Sequence, residues 1–215
     1  SYGADTLRLY EMFTGPLDQS RPWETTAIVG VYRLLQRIWR NVVDEDTGST
    51  TMSSDEPDAE TLRALHRTID AVRDGMDKLR FNVSIAKITE LNNHLTARYP
   101  DGGVPRAVVE PLVLLLAPLA PHVSEELWLR LGHPDSLAAE PFPEADPALL
   151  IDDTIEIPVQ INGKVRTRVH VPADADADTV EAVARADANV AVLLEGATVR
   201  RVVAVPGRLV NFVVG

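Results

Sequence analysis

The sequence predicts a mainly α protein, an antiparallel helical bundle followed by a small α+β domain of order β-β-α-β-β. Apolar residues recur at steps of three and four through most of residues 1–131, the period of a helix with one buried face. After residue 154 the period becomes two, the mark of half-buried strands. Between these regions, Pro134, Pro141, Pro143 and Pro147 interrupt any regular element.

Tyr2 to Thr14 reads as a helix stopped by Gly15, and Pro16 to Pro22 as a loop. A long helix follows from about Glu24 to Val43, with Ile28, Val31, Leu35, Ile38 and Val42 on one face. Asp44 to Asp58 is acidic, rich in Ser and Thr and poor in large apolar residues, so a mobile surface loop is expected there. Asp58 suits the N-cap of a third helix, whose inward face is Leu62, Leu65, Ile69, Val72, Met76 and Leu79. A fourth helix spans about Asn82 to Arg98, with Ile85, Ile88, Leu91 and Leu95 inward, and Asp101-Gly102-Gly103 breaks it. Pro105 opens a fifth helix that is apolar through Leu116. Pro118 and Pro121 then force one helix to end and another to start, because each removes a backbone donor and fixes φ. The last bundle helix runs from about Pro121 to Leu131 and stops at Gly132.

His133 to Asp153 reads as an extended linker lying against the bundle. Ile155 to Ile161 and Lys164 to Val171 flank Asn162-Gly163, the pair that favours a type I′ hairpin. Asp174 to Leu194 is helical, in two pieces. Thr198 to Val205 and Arg208 to Val214 form a second hairpin around Pro206-Gly207. The expected map is therefore an entry helix and loop at 1–23, a bundle at 24–133, a Pro-rich linker at 134–153 and an α+β domain at 154–215.

With 45% hydrophobic residues the chain can bury a core, and no apolar run approaches the ~20 residues of a membrane helix. The start carries no basic and apolar signal pattern. It also carries no initiator Met, which suggests a piece of a longer protein. There is no Cys, so disulfides and thiolate metal sites are excluded. A net charge of −11 argues against a generic nucleic-acid binder and against DNA as a partner. Residues 1–150 hold 14 cations and 23 anions, whereas residues 151–215 hold 7 and 9, so any RNA contact has to come from local basic rows.

Two such rows stand out. Lys164, Arg166 and Arg168 alternate along a strand, which in a regular strand puts them on one face, and Arg200, Arg201 and Arg208 in the second hairpin could widen the patch. Arg33, Arg37 and Arg40 share a helix face offset from the apolar stripe. Either row can follow a phosphate backbone, and either can be a solvated face. His66, His94, His122, His133 and His170 are scattered. His122-Val123-Ser124-Glu125-Glu126 lacks the second His at i+4 that a helical metal site needs, so no metal site is expected. No phosphate-cradling glycine loop, Walker lysine or acid–base pair in an apolar cleft is present, so no catalytic residue is assigned. Trp23, Trp39 and Trp128 read as bundle core or rim rather than base-stacking platforms.

The helical segments Lys78 to Leu91 and Leu114 to Trp128 together resemble the all-helical domain that follows the catalytic core in class I aminoacyl-tRNA synthetases for Leu, Ile, Val and Met. Ser1-Tyr2-Gly3-Ala4-Asp5-Thr6-Leu7-Arg8 looks like the segment after the signature loop of those enzymes. The resemblance narrows to the bacterial leucyl branch at Gly15 to Trp23, at Val159 to Arg166 and at Val205 to Asn211. An isoleucyl member usually ends in a Cys-rich zinc module, a valyl member in a coiled coil and a methionyl member often in an OB-fold, and none of these suits residues 151–215. The resemblance implies a cytoplasmic monomer whose parent joins leucine to tRNA(Leu) with ATP and Mg²⁺ and edits mischarged tRNA. The catalytic and editing sites would lie upstream, and this portion would dock tRNA without a cofactor of its own. The corresponding portion of another branched-chain synthetase is one alternative. The other is an acidic helical adaptor that binds protein, with the hairpin domain offering a sheet edge. On the leucyl reading, the isolated chain should show no leucine-dependent ATP–pyrophosphate exchange, and exchange above background in a clean preparation would overturn it.

Overall fold

The computed structural model describes residues 2–24, 26–151 and 154–215. Ser1 of the entry segment and Asp152 and Asp153 of the expected linker lie outside the described residues. The chain divides into two compact units, residues 1–150 and 151–215. Among the described residues no helix is long and apolar enough to cross a membrane.

In the first unit, α1 (Ala4–Phe13), α2 (Ile28–Arg40), α3 (Ala59–Asp77), α4 (Phe81–Arg98), α5 (Arg106–Leu116) and α6 (Pro121–Arg130) surround one apolar core. Leu9, Ile38, Leu65, Ile85, Ile88, Leu91, Leu95 and Leu112 are fully buried in it. Ile38, Leu65, Ile85, Ile88, Leu91 and Leu95 are positions that the three-and-four spacing selects. Burial of such side chains stabilises the unit by roughly 1.5–3 kcal/mol each. α3 and α4 form an antiparallel hairpin that pinches at Gly75, where a Cβ would collide with Ser84 Oγ. Ser84 Oγ donates to Val72 O across the pair.

The helix ends differ from the periodicity at three places. α2 begins at Ile28, not Glu24, because Glu24 N–H donates to Tyr10 Oη and Trp23 packs edge-on against the Tyr10 ring. It ends at Arg40, because Val43 leaves the helix to form a bridge with Thr50. Leu79 belongs to no helix. It takes φ 54°, stands 61% exposed, and lies in the turn where Arg80 N–H reaches back to Gly75 O.

Residues 44–58 are anchored rather than loose. Thr51 N–H donates to Val42 O, Ser53 N–H to Val104 O, Gly103 N–H to Thr51 O and Arg106 N–H to Ser53 O. Met52 packs on the core. Composition marks the segment as hydrophilic but does not show that its backbone groups find partners on two other segments. Residues 134–150 likewise lie on the first unit. Leu137 is buried, Phe142 and Ala145 pack on the core, and Asp146 N–H donates to His66 Nδ1.

The second unit is one mixed sheet covered on one face by two short helices. β1 (Thr154–Ile161), β2 (Lys164–Pro172), β3 (Val199–Val205) and β4 (Leu209–Val214) lie in the order β2-β1-β4-β3. The two hairpins are antiparallel and join through a parallel β1–β4 pair. α7 (Ala177–Ala186) and α8 (Ala188–Leu194) connect β2 to β3. Their Val180, Ala184 and Val190 bury Ile157, Val159, Val169, Val171, Val210 and Phe212.

Two measurements check this fold. In native-state hydrogen exchange, the amides of Thr51, Ser53, Gly103 and Arg106 should be protected while those of Glu45 and Glu56 exchange quickly. Asp58 caps α3 by accepting from Thr61 N–H at 2.9 Å and also pairs with Arg98. The Thr61 backbone bond first, and Arg98 second, lower its carboxyl from 3.8 to about 2. A depressed carboxyl contributes stability that is present above its unfolded pKa and lost as pH falls through the folded one. Asp58→Asn should therefore flatten the acid side of a stability–pH curve between pH 3.8 and about 2, read by thermal unfolding.

Candidate nucleic-acid interface

The Asn162–Gly163 turn organises one end of the second unit. Both residues have positive φ, 49° and 77°, as a type I′ turn requires. Asn162 then stitches the turn to a strand that is not its hairpin partner. Its Nδ2 donates to Val214 O at 3.1 Å and its Oδ1 accepts from Val214 N–H at 2.9 Å. Gly163 N–H donates to Asn211 Oδ1 at 3.0 Å. Because β4 runs parallel to β1 and antiparallel to β3, this end also holds the start of β3, where Gly215 N–H donates to Thr198 O.

The topology sorts the predicted basic residues by end. Lys164 and Arg166 open β2 at the Asn162 end, and Arg200 and Arg201 open β3 at the same end. The two strands are the opposite edges of the sheet, three strand spacings or roughly 14 Å apart. Arg208 sits in the Pro206–Gly207 turn at the other end, roughly 17 Å away along β4. Among the described residues Lys164, Arg166, Arg200 and Arg201 make no ion pair. Arg168 does, to Glu156 at 3.0 Å across the hairpin.

Lys164, Arg166 and Arg168 do not share a face. The register runs Ile161↔Lys164, Gln160↔Val165 and Val159↔Thr167, so Arg166 is an extra residue that β1 does not match. A bulge reverses the alternation on its two sides. Val165 and Arg168 therefore stand on the open face, whereas Lys164 lies on the face of Ile161 and Val159, which the helices cover. Val165 is accordingly 56% exposed while Val169 and Val171 are buried. β3 carries a matching irregularity between Val199 and Arg201, which makes Arg200 its extra residue. The expected one-sided stripe is thus replaced by two pairs of cations, on opposite edges at one end of the sheet.

Arg185 belongs to that end and was not singled out by spacing. It lies in the last turn of α7, with its guanidinium 5.2 Å from the Phe212 ring centroid and Nε on Glu181 at 2.8 Å. Only the burial of Phe212 at the Asn162 end shows where this side chain sits. Asp174, Asp176 and Asp178 cluster at the opposite end, where β2 stops and Asp176 caps α7 through Thr179 N–H. The unit is near neutral in sum but polarised along its strands.

On α2 the arginine row is partly engaged. Arg37 donates from Nη1 to Asn93 Oδ1 at 2.9 Å, and its buried Nε has no partner. Arg40 donates to Gln36 O and lies 3.9 Å from Glu45. Arg33 is exposed and, among the described residues, without an ion pair. His122 and His133 have acidic neighbours, Asp5 and Glu110, each at 2.7 Å.

The chain is 61% identical over 212 residues to the leucine–tRNA ligase of Nocardia farcinica and 60% identical over 213 residues to that of Saccharopolyspora erythraea. Each match covers 99% of this chain and 22% of the relative, so the chain spans under a quarter of their length. A crystal structure of the ternary agnB2 LeuRS–tRNA–LeuAMS complex from Agrobacterium radiobacter K84 matches with a TM-score of 0.71 and 29% identity, covering 100% of this chain and 28% of that one. Residues 58–182, from the cap of α3 into α7, match the family described as the anticodon-binding domain of tRNA ligase. The chain belongs to that anticodon-binding domain family.

Proposed function

We propose that the chain is the tRNA-docking portion of a leucine–tRNA ligase, and that it positions tRNA(Leu) for aminoacylation and editing carried out by the rest of the parent enzyme. The observation that carries this is the identity of about 60% to leucine–tRNA ligases along virtually the whole chain. The similar solved structure is of a complex that contains tRNA. The parent would consume ATP with Mg²⁺, act in the cytoplasm and work as a monomer. No step of that chemistry falls to the residues described here.

The electrostatics support docking by a patch rather than by a whole surface. A chain of net charge −11 repels a polyanion in general, so association depends on where its cations gather. In the second unit they gather at the Asn162 end, with the acidic cluster facing away. Guanidinium and ammonium groups at both sheet edges and on the helical layer suit a folded RNA read through backbone and shape. In this division of labour residues 1–23 enter the domain, residues 24–133 grip the body of the tRNA, residues 134–153 link, and residues 154–215 hold a second region. Arg33, Arg37 and Arg40 contribute less, since two of the three already have partners.

The test is a salt titration of tRNA binding. Replacing Lys164, Arg166, Arg200 and Arg201 together with Ala should leave the fold intact, because exposed charges contribute little to stability. It should weaken binding and flatten the slope of log K against log salt by up to about 3 units, if each contact displaces a little under one counterion. Arg168→Ala and Arg208→Ala should change the slope much less. An unchanged slope in the quadruple variant would overturn the assignment, and salt-insensitive binding of a protein partner in place of tRNA would favour the adaptor reading.

A further inference from the structure

Where α5 gives way to α6, the chain reverses within four residues, Ala117 to Ala120. A reversal this tight leaves helix-end groups without partners inside the helices: carbonyls at the end of α5 and N–H groups at the start of α6. Pro121 has no N–H, so the first donors of α6 are those of His122 and Val123. Both point to one carboxylate. Asp5 accepts from Val123 N–H at 2.7 Å and from His122 N–H at 3.4 Å, and lies 2.7 Å from His122 Nδ1. One helical turn further along α1, Arg8 donates to Pro118 O at 3.1 Å and to Leu119 O at 3.3 Å.

Asp5 and Arg8 stand at i and i+3, so they share a face of α1. The anion meets the positive end of α6, and the cation meets the carbonyls that follow α5, the favourable sense at each helix end. Asp5 is 8% exposed, and Thr6, Leu9 and Tyr10 beside it are buried. Thus α1 is seated in the core by its apolar side chains and keyed to the corner by two charges 110 or more residues away in sequence. Apolar contact alone would let α1 slide or roll, whereas five directional contacts fix its rotation and its register.

We infer that Asp5 and Arg8 are positioning residues for tRNA charging, a pair that locks the chain entering α1 to the helical bundle and so fixes the angle at which docked tRNA is presented. The inference rests on the leucine–tRNA ligase reading. Both side chains are engaged with the corner. They act through the rigidity of the joint, and small misplacements of a reacting group cost rate steeply.

The experiment uses the full-length enzyme with Asp5→Asn, Arg8→Met and Arg8→Lys. Three quantities are read on each preparation: leucine-dependent ATP–pyrophosphate exchange, tRNA Kd and the kcat of tRNA charging. Asp5→Asn and Arg8→Met should lower charging kcat by about tenfold or more, while exchange and tRNA Kd stay at wild-type values. Arg8→Lys, which can still reach one carbonyl, should recover part of the loss. Unchanged charging in both variants overturns the inference. So does a fall in exchange and charging by the same factor, the signature of a smaller folded fraction, and so does a loss confined to tRNA Kd. Charging of tRNA(Leu) by the unsubstituted enzyme is the separate control on the underlying reading, so the two can fail independently.

Discussion

The first unit depends on satisfying the backbone at one proline corner. Pro118 and Pro121 strip donors from the chain at the point where its most apolar helix reverses. α5 buries Val108, Val109, Leu112, Val113, Leu115 and Leu116, so the corner cannot move into solvent without dragging the core with it. A buried helix end without partners costs on the order of 1–3 kcal/mol for each orphaned group. Asp5 and Arg8 remove that cost from a third helix, and they explain why α1, only ten residues long, docks in a single way. Ala120 and Leu119 close the turn from inside through Leu116 O.

In the second unit the controlling detail is smaller. One extra residue in β2 and one in β3 decide which side chains face the helices and which face outward. The hydrophobic layer tolerates both because Thr167, Val169 and Val171 keep their inward register against β1 beyond the first bulge. The charges pay no such attention to alternation, since they lie at an end and at edges where water reaches every direction. The placement of these charges is therefore set by topology, through the parallel β1–β4 pair, more than by the pattern within any one strand.

Much of this was legible along the chain. Asn162-Gly163, Pro118 with Pro121, Gly132 and the Asp58 cap are local signals, and each marks an element boundary in the structure. The inward faces of α2, α3 and α4 follow from spacing because a 3.6-residue period leaves few alternatives. What escaped was non-local. Nothing near Arg166 signals a bulge, since Lys164 to Val171 alternates without a break on paper. The partners of Ser53 and of the Thr51 carbonyl lie about 50 residues away, and those of Asp5 lie across the whole bundle. Arg185 escaped for the same reason, because it reaches this end only through the packing of α7 on Phe212.

The two bulges also bear on how the molecule avoids its own kind. A four-stranded sheet has two open edges, each a template for another strand. Here each edge carries an unmatched arginine, Arg166 on β2 and Arg200 on β3, that interrupts its hydrogen-bonding rhythm and places a charge in the path of an incoming chain. A sheet blunted in this way resists growing into ribbons during synthesis and storage. It also resists peptides that would dock by extending it.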